Sequence, residues 1–270
     1  MTASILNVEN ISLAFGGVKA LTDVSFSVKE GSVFSIIGPN GAGKTSMLNC
    51  ISGRYTPNSG NIFFNNKNVT SLQPNDRADL GMGRTFQNLA LFGHMSVLDN
   101  IMVGRHHLLK NNWLTGPLYW ASGAQKEELE HRRKVEEVID FLEISHIRKS
   151  IAGTLSYGLR KRVELARAMA LNPKLILLDE PMAGMNLEEK EDMYILDLNE
   201  EFGITVVMIE HDMGVVMDIS HEVMVLDFGK NLICAKPEQV MADPYVKRAY
   251  LGLEEADSEP EEVNTLEEVS

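Results

Sequence analysis

Residues Gly38-Pro39-Asn40-Gly41-Ala42-Gly43-Lys44-Thr45 follow the pattern G-x-x-x-x-G-K-[ST], and Ser46 comes directly after them. Glycines let the backbone turn tightly, so that several N–H groups point at one anion. A lysine at this position reaches the β- and γ-phosphates, and the threonine hydroxyl is a ligand for Mg²⁺. The stretch from Gly38 to Ser46 is therefore predicted to bind a nucleoside triphosphate.

The segments on either side of this loop favour the same interpretation. Residues 33–37 are mostly apolar and are predicted to form a buried strand, and residues 46–51 are predicted to form a helix that Gly53 closes. The positive N-terminal end of such a helix faces an anion held by the loop. An ordinary glycine-rich turn is the alternative, and the strand–loop–helix order disfavours it.

Two acidic residues, Asp179 and Glu180, follow a second apolar strand that is predicted over residues 174–178. Sheets in which strands alternate with helices hold their ligands at the C-terminal ends of the strands. Asp179 is expected to hold Mg²⁺ through water, and Glu180 is expected to orient and polarise the attacking water as a catalytic residue. A solvated acidic turn is the alternative, and the loop upstream makes it the weaker one.

Two further polar residues are candidates for the reaction. His211 follows a predicted strand over residues 204–209 and would hydrogen-bond the γ-phosphate or hold the attacking water. The alternative is an exposed histidine that caps the helix starting at Met213. Gln87 carries an amide that both donates and accepts, which suits a ligand of Mg²⁺ or water. By itself, Gln87 is better explained as a surface residue.

Alternating strands and helices define the predicted fold. Residues 5–37 are rich in strands, and Val24, Phe26 and Val28 alternate with polar residues as in a half-buried antiparallel strand. In the second half, apolar strands alternate with helices, which implies a mainly parallel sheet covered on both faces. The predicted fold is therefore α/β, a P-loop NTPase core with an N-terminal antiparallel β region and an inserted helical subdomain at about residues 88–170.

Acidic residues are concentrated at the end of this chain of 270 residues, whose net charge is −13. Residues 254–268 contain eight acids and no base, and removing those eight charges leaves −5 for the rest. Residues 253–270 are therefore predicted to be a disordered acidic tail behind one domain over residues 1–252. The acidic balance argues against a nucleic-acid partner. No apolar run reaches membrane-spanning length, so a role at a membrane requires a partner.

Three other features have ordinary explanations. Cys50 and Cys234 are predicted to be buried, reduced thiols. The basic run Arg160-Lys161-Arg162 is predicted to form the solvated face of a helix. The aromatic segment over residues 113–120 is explained equally well by docking of a partner and by a small satellite core.

A fifth motif gives the chain a resemblance to a known family. Leu155-Ser156-Tyr157-Gly158-Leu159 precedes a predicted helix and lies shortly before the strand that carries Asp179 and Glu180. It resembles the LSGGQ signature of the ATP-binding cassette (ABC) ATPases, and the five motifs occur in this family's order. In isolation a simple helix cap explains it better, although the turn also presents N–H groups and a hydroxyl to an anion. The resemblance covers residues 5 to about 252.

The resemblance implies a composite site for ATP and Mg²⁺. Phe15 matches the aromatic residue that stacks on adenine, with a core phenylalanine in a strand as the alternative. Gln87 matches the Q-loop, which links the γ-phosphate to the helical subdomain and to a membrane partner. Two chains, identical or paralogous, are implied to pair head to tail, so that Ser156 and Gly158 of one contact the ATP of the other. The implied metal ligands are Thr45, Gln87 and Asp179.

The resemblance also implies partners and a location. ABC ATPases of this kind drive transmembrane permease subunits, and a solute-binding protein outside the membrane acts with them indirectly. The chain is therefore expected at the cytoplasmic face of the membrane, held there by the permease. Three residues depart from the family pattern: Tyr157 and Leu159 in the signature, and Asn186 where aspartate is usual. ATPase activity is expected to be retained, with altered affinity or coupling.

Within the family, the chain is most similar to the ATPases of branched-chain amino acid importers. The motifs that carry this similarity are residues 84–87, 180–186, 209–213 and 248–252. Importers of urea or short amides and lipopolysaccharide-export ATPases share much of this pattern and remain alternatives. A soluble ABC ATPase acting on DNA or ribosomes is less well supported, because the chain has one phosphate loop and no sustained heptads. A P-loop kinase or GTPase is disfavoured by the signature and by the lack of an Asn-Lys-x-Asp motif.

Overall fold

The computed structural model describes residues 3–85, 90–108, 124–183 and 195–251. Within these ranges the strands are β1 (Ser4–Phe15), β2 (Val18–Lys29), β3 (Val33–Ile37), β4 (Ser59–Phe64), β5 (Lys67–Asn68), β6 (Met82–Arg84), β7 (Leu175–Asp179), β8 (Thr205–Ile209), β9 (Glu222–Asp227) and β10 (Lys230–Ala235). The α-helices are α1 (Lys44–Ile51), α2 (Pro74–Asp79), α3 (Val97–Gly104), α4 (Ala124–Phe141), α5 (Tyr157–Met169), α6 (Ile195–Phe202), α7 (Met213–Ile219), α8 (Pro237–Ala242) and α9 (Pro244–Leu251).

Two sheets organise the described residues. A six-stranded sheet has the order β10-β9-β3-β8-β7-β6, in which the strands from β9 to β6 are parallel and β10 is antiparallel to β9. A four-stranded antiparallel sheet has the order β2-β1-β4-β5. The predicted α/β fold, with a mainly parallel core and an N-terminal antiparallel region, is confirmed.

The parallel sheet is apolar because both of its faces are covered. Every residue of β3, β7 and β8 is buried, as the continuous apolar runs predict. Successive side chains of a strand point to opposite faces, so Phe34 and Ile36 join one core while Val33 and Ile37 join the other. The first core lies against the antiparallel sheet and α1, and the second lies against the helices α3 to α6.

The alternation in β2 is confirmed. Val24, Phe26 and Val28 are buried, and the residues between them are exposed. Phe26 stacks on Phe34 of β3 with ring centroids 5.2 Å apart, which joins the two sheets. The antiparallel sheet is therefore a layer of the same core as the strand that leads into the phosphate-binding loop.

Helices follow β6, as predicted for the inserted region. α3, α4 and α5 pack together and bury Ile101, Val135, Ile139 and Val163 among other apolar side chains. The boundaries of the helical subdomain, about residues 88–170, and of the domain and its tail stay predictions. The aromatic segment over residues 113–120 and the acidic tail over 253–270 lie outside the described residues. None of the described helices is both long and apolar enough to cross a bilayer.

Candidate active site

The phosphate-binding loop connects β3 to α1 and depends on two glycines. Gly43 has a φ of +101°, and a Cβ there would lie 2.6 Å from the carbonyl oxygen of Ala20. Gly38 has a φ of +154°, and its Cβ would lie 2.1 Å from the carbonyl oxygen of Leu226. No side chain fits at either place, because the loop is pressed against β2 and β9. Gly43 also precedes α1 without a side chain to cap it, which leaves the start of the helix open to an anion.

Lys44 is held in the loop without an anionic partner at hydrogen-bonding distance among the described residues. Its Nζ donates to the carbonyl oxygen of Gly38 at 2.6 Å and to that of Pro39 at 3.0 Å. Burial lowers the pKa of Lys44, while the charges of Glu180 and Asp179 act to raise it. A phosphate group would give this buried ammonium the charged acceptor that the carbonyl groups do not provide.

A cavity of about 360 Å³ opens beside the loop. Its lining comes from four separate parts of the chain. These are the start of β2 (Val18, Lys19 and Ala20), the loop and start of α1 (Asn40, Gly41, Ala42, Gly43, Lys44, Thr45 and Ser46), the loop after β7 (Glu180) and the loop after β8 (His211). The structure therefore brings most of the predicted site residues together. The contribution of β2 was not predicted.

Asp179 ends β7 in a buried position. Its side chain is 2% exposed, and its Oδ2 lies 3.4 Å from a guanidinium nitrogen of Arg84. Its Oδ1 is buried and accepts no hydrogen bond from the described residues. Burial raises the pKa of this carboxyl, with Arg84 acting to lower it and Glu180 acting to raise it. A buried carboxylate oxygen without a donor fits a ligand for Mg²⁺ or for its bound water.

Glu180 and His211 form a pair at the edge of the cavity. The Nε2 atom of His211 lies 2.8 Å from Oε1 of Glu180. Glu180 has a φ of +51°, a conformation that is uncommon outside glycine and is enriched at active sites. Its N–H donates to the carbonyl oxygen of Ile209 at 3.0 Å, so the strand that carries His211 holds it in place. The helix α7 is capped by Asp212, so the alternative that His211 is the cap is wrong.

Glu210 is a site residue to which the sequence analysis gave no role. It is buried, and its two carboxylate oxygens accept the N–H groups of Met182 at 2.8 Å and His211 at 3.2 Å. It thereby joins the loop after β7 to the loop after β8. Burial raises the pKa of Glu210, and the two N–H donors act to lower it. A glutamate directly after the apolar strand β8 is the only sequence signal for this role.

Lys161 corrects the expectation of a fully solvated basic run. It is 4% exposed, and its Nζ donates to the carbonyl oxygen of Glu180 at 3.2 Å. The prediction was wrong for Lys161 because this side chain lies on the face of α5 that packs against the loop after β7. Neighbouring Arg160 and Arg162 are half-buried. The signature helix is thereby tied to the backbone of the predicted catalytic residue.

Among the described residues, Ser156, Gly158 and Phe15 do not line this cavity. Ser156 is exposed and caps α5, with Oγ accepting the N–H of Leu159 at 3.3 Å, whereas Gly158 is buried. Phe15 is 49% exposed and packs edge-to-face against Tyr55 with ring centroids 5.1 Å apart. Gln87 and Asn186 lie outside the described residues. The roles of all of these remain predictions.

A metal ion at this site would depend on the nucleotide as well as on the protein. No group of three or more His, Cys, Asp and Glu side chains in the described ranges is arranged to hold a metal. In sites for nucleotides, Mg²⁺ is commonly bound by one or two carboxylates together with substrate phosphates. Thr45, exposed at the start of α1, and Asp179 are the described residues that suit it.

The chain was compared with known protein families and proteins. A family model described as "ABC transporter" matches residues 21–183. The high-affinity branched-chain amino acid transport ATP-binding protein BraF of Pseudomonas aeruginosa is 38% identical over 254 residues, which cover 93% of this chain and 99% of BraF.

Solved structures give the same result. The ADP conformation of MJ1267, an ATP-binding cassette of an ABC transporter, superposes with a TM-score of 0.80 at 35% identity, covering 93% of this chain and 100% of that one. The dimeric structure of MJ0796, a bacterial ABC transporter cassette, has a TM-score of 0.73 at 26% identity, covering 86% of this chain and 98% of that one.

Proposed function

The chain belongs to the ABC transporter family, and we propose that it is the ATP-hydrolysing subunit of an importer for branched-chain or related amino acids. The observation that carries hydrolysis is the convergence of Lys44, Glu180 and His211 on one cavity. The class of substrate rests on the similarity to BraF, which is named for branched-chain amino acid transport.

ATP binding follows from the geometry of the loop. Several N–H groups between Asn40 and Ser46 surround the phosphates, and the Nζ of Lys44 exchanges its carbonyl partners for phosphate oxygens. Phe15, half-exposed at the end of β1, pairs across the turn with Val18 of the cavity wall and stacks on adenine. Thr45, Gln87 and Asp179 are the proposed ligands of Mg²⁺, which would neutralise charge on the phosphates when bound.

Hydrolysis is assigned to the pair at the cavity edge. Glu180 accepts a proton from the attacking water molecule. The oxygen of that water bonds to the γ-phosphorus, and the bond between the γ-phosphorus and the bridging oxygen breaks, so that ADP leaves. His211, 2.8 Å from the carboxylate, fixes its orientation and reaches the γ-phosphate. Gln87 is proposed to help place the same water. Glu210 joins the loops after β7 and β8, and Lys161 joins α5 to the loop after β7.

A second cassette completes the site. The Ser156 hydroxyl is exposed and lies outside its own chain's cavity, which supports a role at the nucleotide of a partner chain. Gly158 is proposed to act with it. ATP then contacts both chains only when the pair is closed, so binding favours closure and hydrolysis reverses it. Closure is proposed to move permease helices that contact the region of Gln87 and the helical subdomain, and the proposed location is the cytoplasmic face of the membrane.

Uptake in a strain lacking the gene tests the proposed substrate. Cells carrying the wild-type gene or the Lys44→Ala variant on a plasmid are supplied with labelled leucine, isoleucine, valine, glutamate or urea. We expect uptake of the branched-chain amino acids to fall in the deletion strain and to return with the wild-type gene alone. Loss of urea uptake instead would reassign the substrate, and unchanged uptake of every solute would contradict an importer for these solutes.

A further inference from the structure

Arg84 lies at the inner edge of the candidate site, three residues before Gln87 in the motif over residues 84–87. It ends β6, the edge strand of the parallel sheet, and is paired in register with Leu177 of β7, two residues before Asp179. Its side chain is only 10% exposed. We propose that Arg84 is a positioning residue that fixes the Asp179 carboxylate so that one oxygen faces the bound Mg²⁺. This inference rests on the proposed site for Mg²⁺ and ATP.

The guanidinium of Arg84 joins two elements of the nucleotide site. One nitrogen lies 3.4 Å from Oδ2 of Asp179, and another donates to Oγ of Ser52. Ser52 is the C-cap of α1, and its hydroxyl donates in turn to the carbonyl oxygen of Asn49 at 3.2 Å. The helix that starts at Lys44 and the strand that ends at Asp179 are therefore connected through one buried side chain.

The two oxygens of Asp179 have different environments. Oδ2 is engaged by Arg84, whereas Oδ1 is buried and has no donor among the described residues. Leaving a buried acceptor unsatisfied is unfavourable, and such atoms in native proteins require an explanation. Because one oxygen is held by a cation from inside the protein, the carboxylate cannot turn freely, and the other oxygen stays available to a metal ion or its water.

Charge supports the same assignment. Asp179 is buried, and Glu180 next to it also carries a carboxylate. A buried carboxylate without a cation is strongly disfavoured, and the Arg84 guanidinium is a cation that lies 3.4 Å from this one. Residues that orient a metal ligand in this way affect metal affinity by about 10- to 100-fold when they are removed.

The test measures how strongly Mg²⁺ improves the binding of a nucleotide that is not hydrolysed. The dissociation constant of AMP-PNP is measured by calorimetry with EDTA and with MgCl₂, and the ratio of the two values is the Mg²⁺-dependent gain. We expect Arg84→Met to reduce this gain by about tenfold or more while the value in EDTA changes by less than about twofold. Arg54→Met is the matched control, because Arg54 is an exposed arginine of the same region and should leave the gain unchanged.

Two milder variants separate the proposed role of Arg84 from a loss of folding. Arg84→Lys keeps the positive charge but lacks the planar guanidinium with its several N–H donors, so it should keep part of the Mg²⁺-dependent gain. Ser52→Ala removes the connection to α1 and should reduce the gain less than Arg84→Met does. If Arg84→Met does not fold by circular dichroism, Arg84→Lys takes its place, and a gain equal to the wild type would overturn the proposal.

The remaining outcomes are also decisive. An unchanged gain in folded Arg84→Met would show that the ion pair is structural only, and an increased gain would show that Arg84 competes with the metal. Either result overturns the proposal. If the wild-type protein itself fails to bind AMP-PNP, the proposed function fails instead, so the two failures are distinguishable. The Mn²⁺ spectrum with bound AMP-PNP, measured by electron paramagnetic resonance, should differ between wild type and Arg84→Met and not between wild type and Arg54→Met.

Discussion

The Nε2 atom of His211 lies 2.8 Å from Oε1 of Glu180, although 31 residues separate them in the sequence. The contact forms because β7 and β8 are parallel neighbours, so that the loops after both strands leave the same edge of the sheet. Glu210 then fixes the spacing of those loops by accepting N–H groups from each. The proposed proton acceptor and its orienting partner are thus placed beside the phosphate-binding loop by the register of β7 and β8 and by the Glu210 side chain.

Lys44→Ala should weaken ATP binding by at least about tenfold, because a hydrogen bond between charged groups contributes ~1.5–3 kcal/mol. The measurement is fluorescence titration with a labelled ATP analogue. Lys67→Ala, which removes an exposed lysine of β5, is the control and should bind as the wild type does. Unchanged affinity in Lys44→Ala would remove the loop from the nucleotide site.

Phe15→Ala should weaken ATP binding by up to about tenfold, because aromatic stacking contributes ~0.5–1.5 kcal/mol. Tripolyphosphate has no base, so its affinity should not change in the same variant. Phe15→Tyr keeps the ring and serves as the matched control. If Phe15→Ala binds ATP normally, the side chain is a surface phenylalanine packed on Tyr55 and has no role in recognising adenine.

Ser156→Arg should leave ATP binding by the isolated chain intact, because the residue is exposed and lies outside its own cavity. The bulk should block closure, so that hydrolysis and ATP-dependent dimerisation are lost together. Mixing Ser156→Arg with Lys44→Ala should restore at most one competent site, made from Lys44 of the first chain and Ser156 of the second. Loss of ATP binding in a folded Ser156→Arg monomer would contradict the head-to-tail arrangement.

Both thiols should be unreactive in the folded protein. Cys50 is buried as predicted, whereas Cys234 is only partly buried. Burial raises the pKa of Cys50 to about 11 and, with Glu222 nearby, that of Cys234 to about 12. At pH 8 the thiolate, which is the reactive form, is therefore only about one part in a thousand or less. Ellman's reagent should detect two thiols per chain after unfolding and essentially none before. Rapid labelling of the native protein would show that one of these sites is open.

Much of the fold was predictable because the strands at the site are strongly apolar and the spacing of the glycines in the phosphate-binding loop is characteristic of that loop. β3, β7 and β8 were predicted within one residue at each end, and the loops after β7 and β8 were assigned the residues that now line the cavity. The local sequence is enough to predict these strands, because a strand that is covered on both faces is a continuous apolar run.

The parts that were missed depend on contacts between distant segments. β6 has three residues and includes Gly83, so no periodic pattern marks it, and the ion pair of Arg84 with Asp179 is visible only in the assembled sheet. The wall from Val18 to Ala20 is placed by the turn after β9, where Gly229 accepts a hydrogen bond from Thr22 and donates one to Ala42. Burial of Lys161 reflects the direction of α5, which a basic run does not reveal.

The most direct test of the central claim is the rate of ATP hydrolysis by Glu180→Gln, measured together with its affinity for ATP. The amide cannot accept the proton of the attacking water, and general-base catalysis contributes about 10²- to 10⁴-fold. Glu200→Gln, at an exposed position of α6, is the matched control. We expect turnover by Glu180→Gln to fall at least about a hundredfold with ATP still bound and the closed dimer accumulating. Turnover close to that of the wild type would contradict the assignment of Glu180 as the catalytic base.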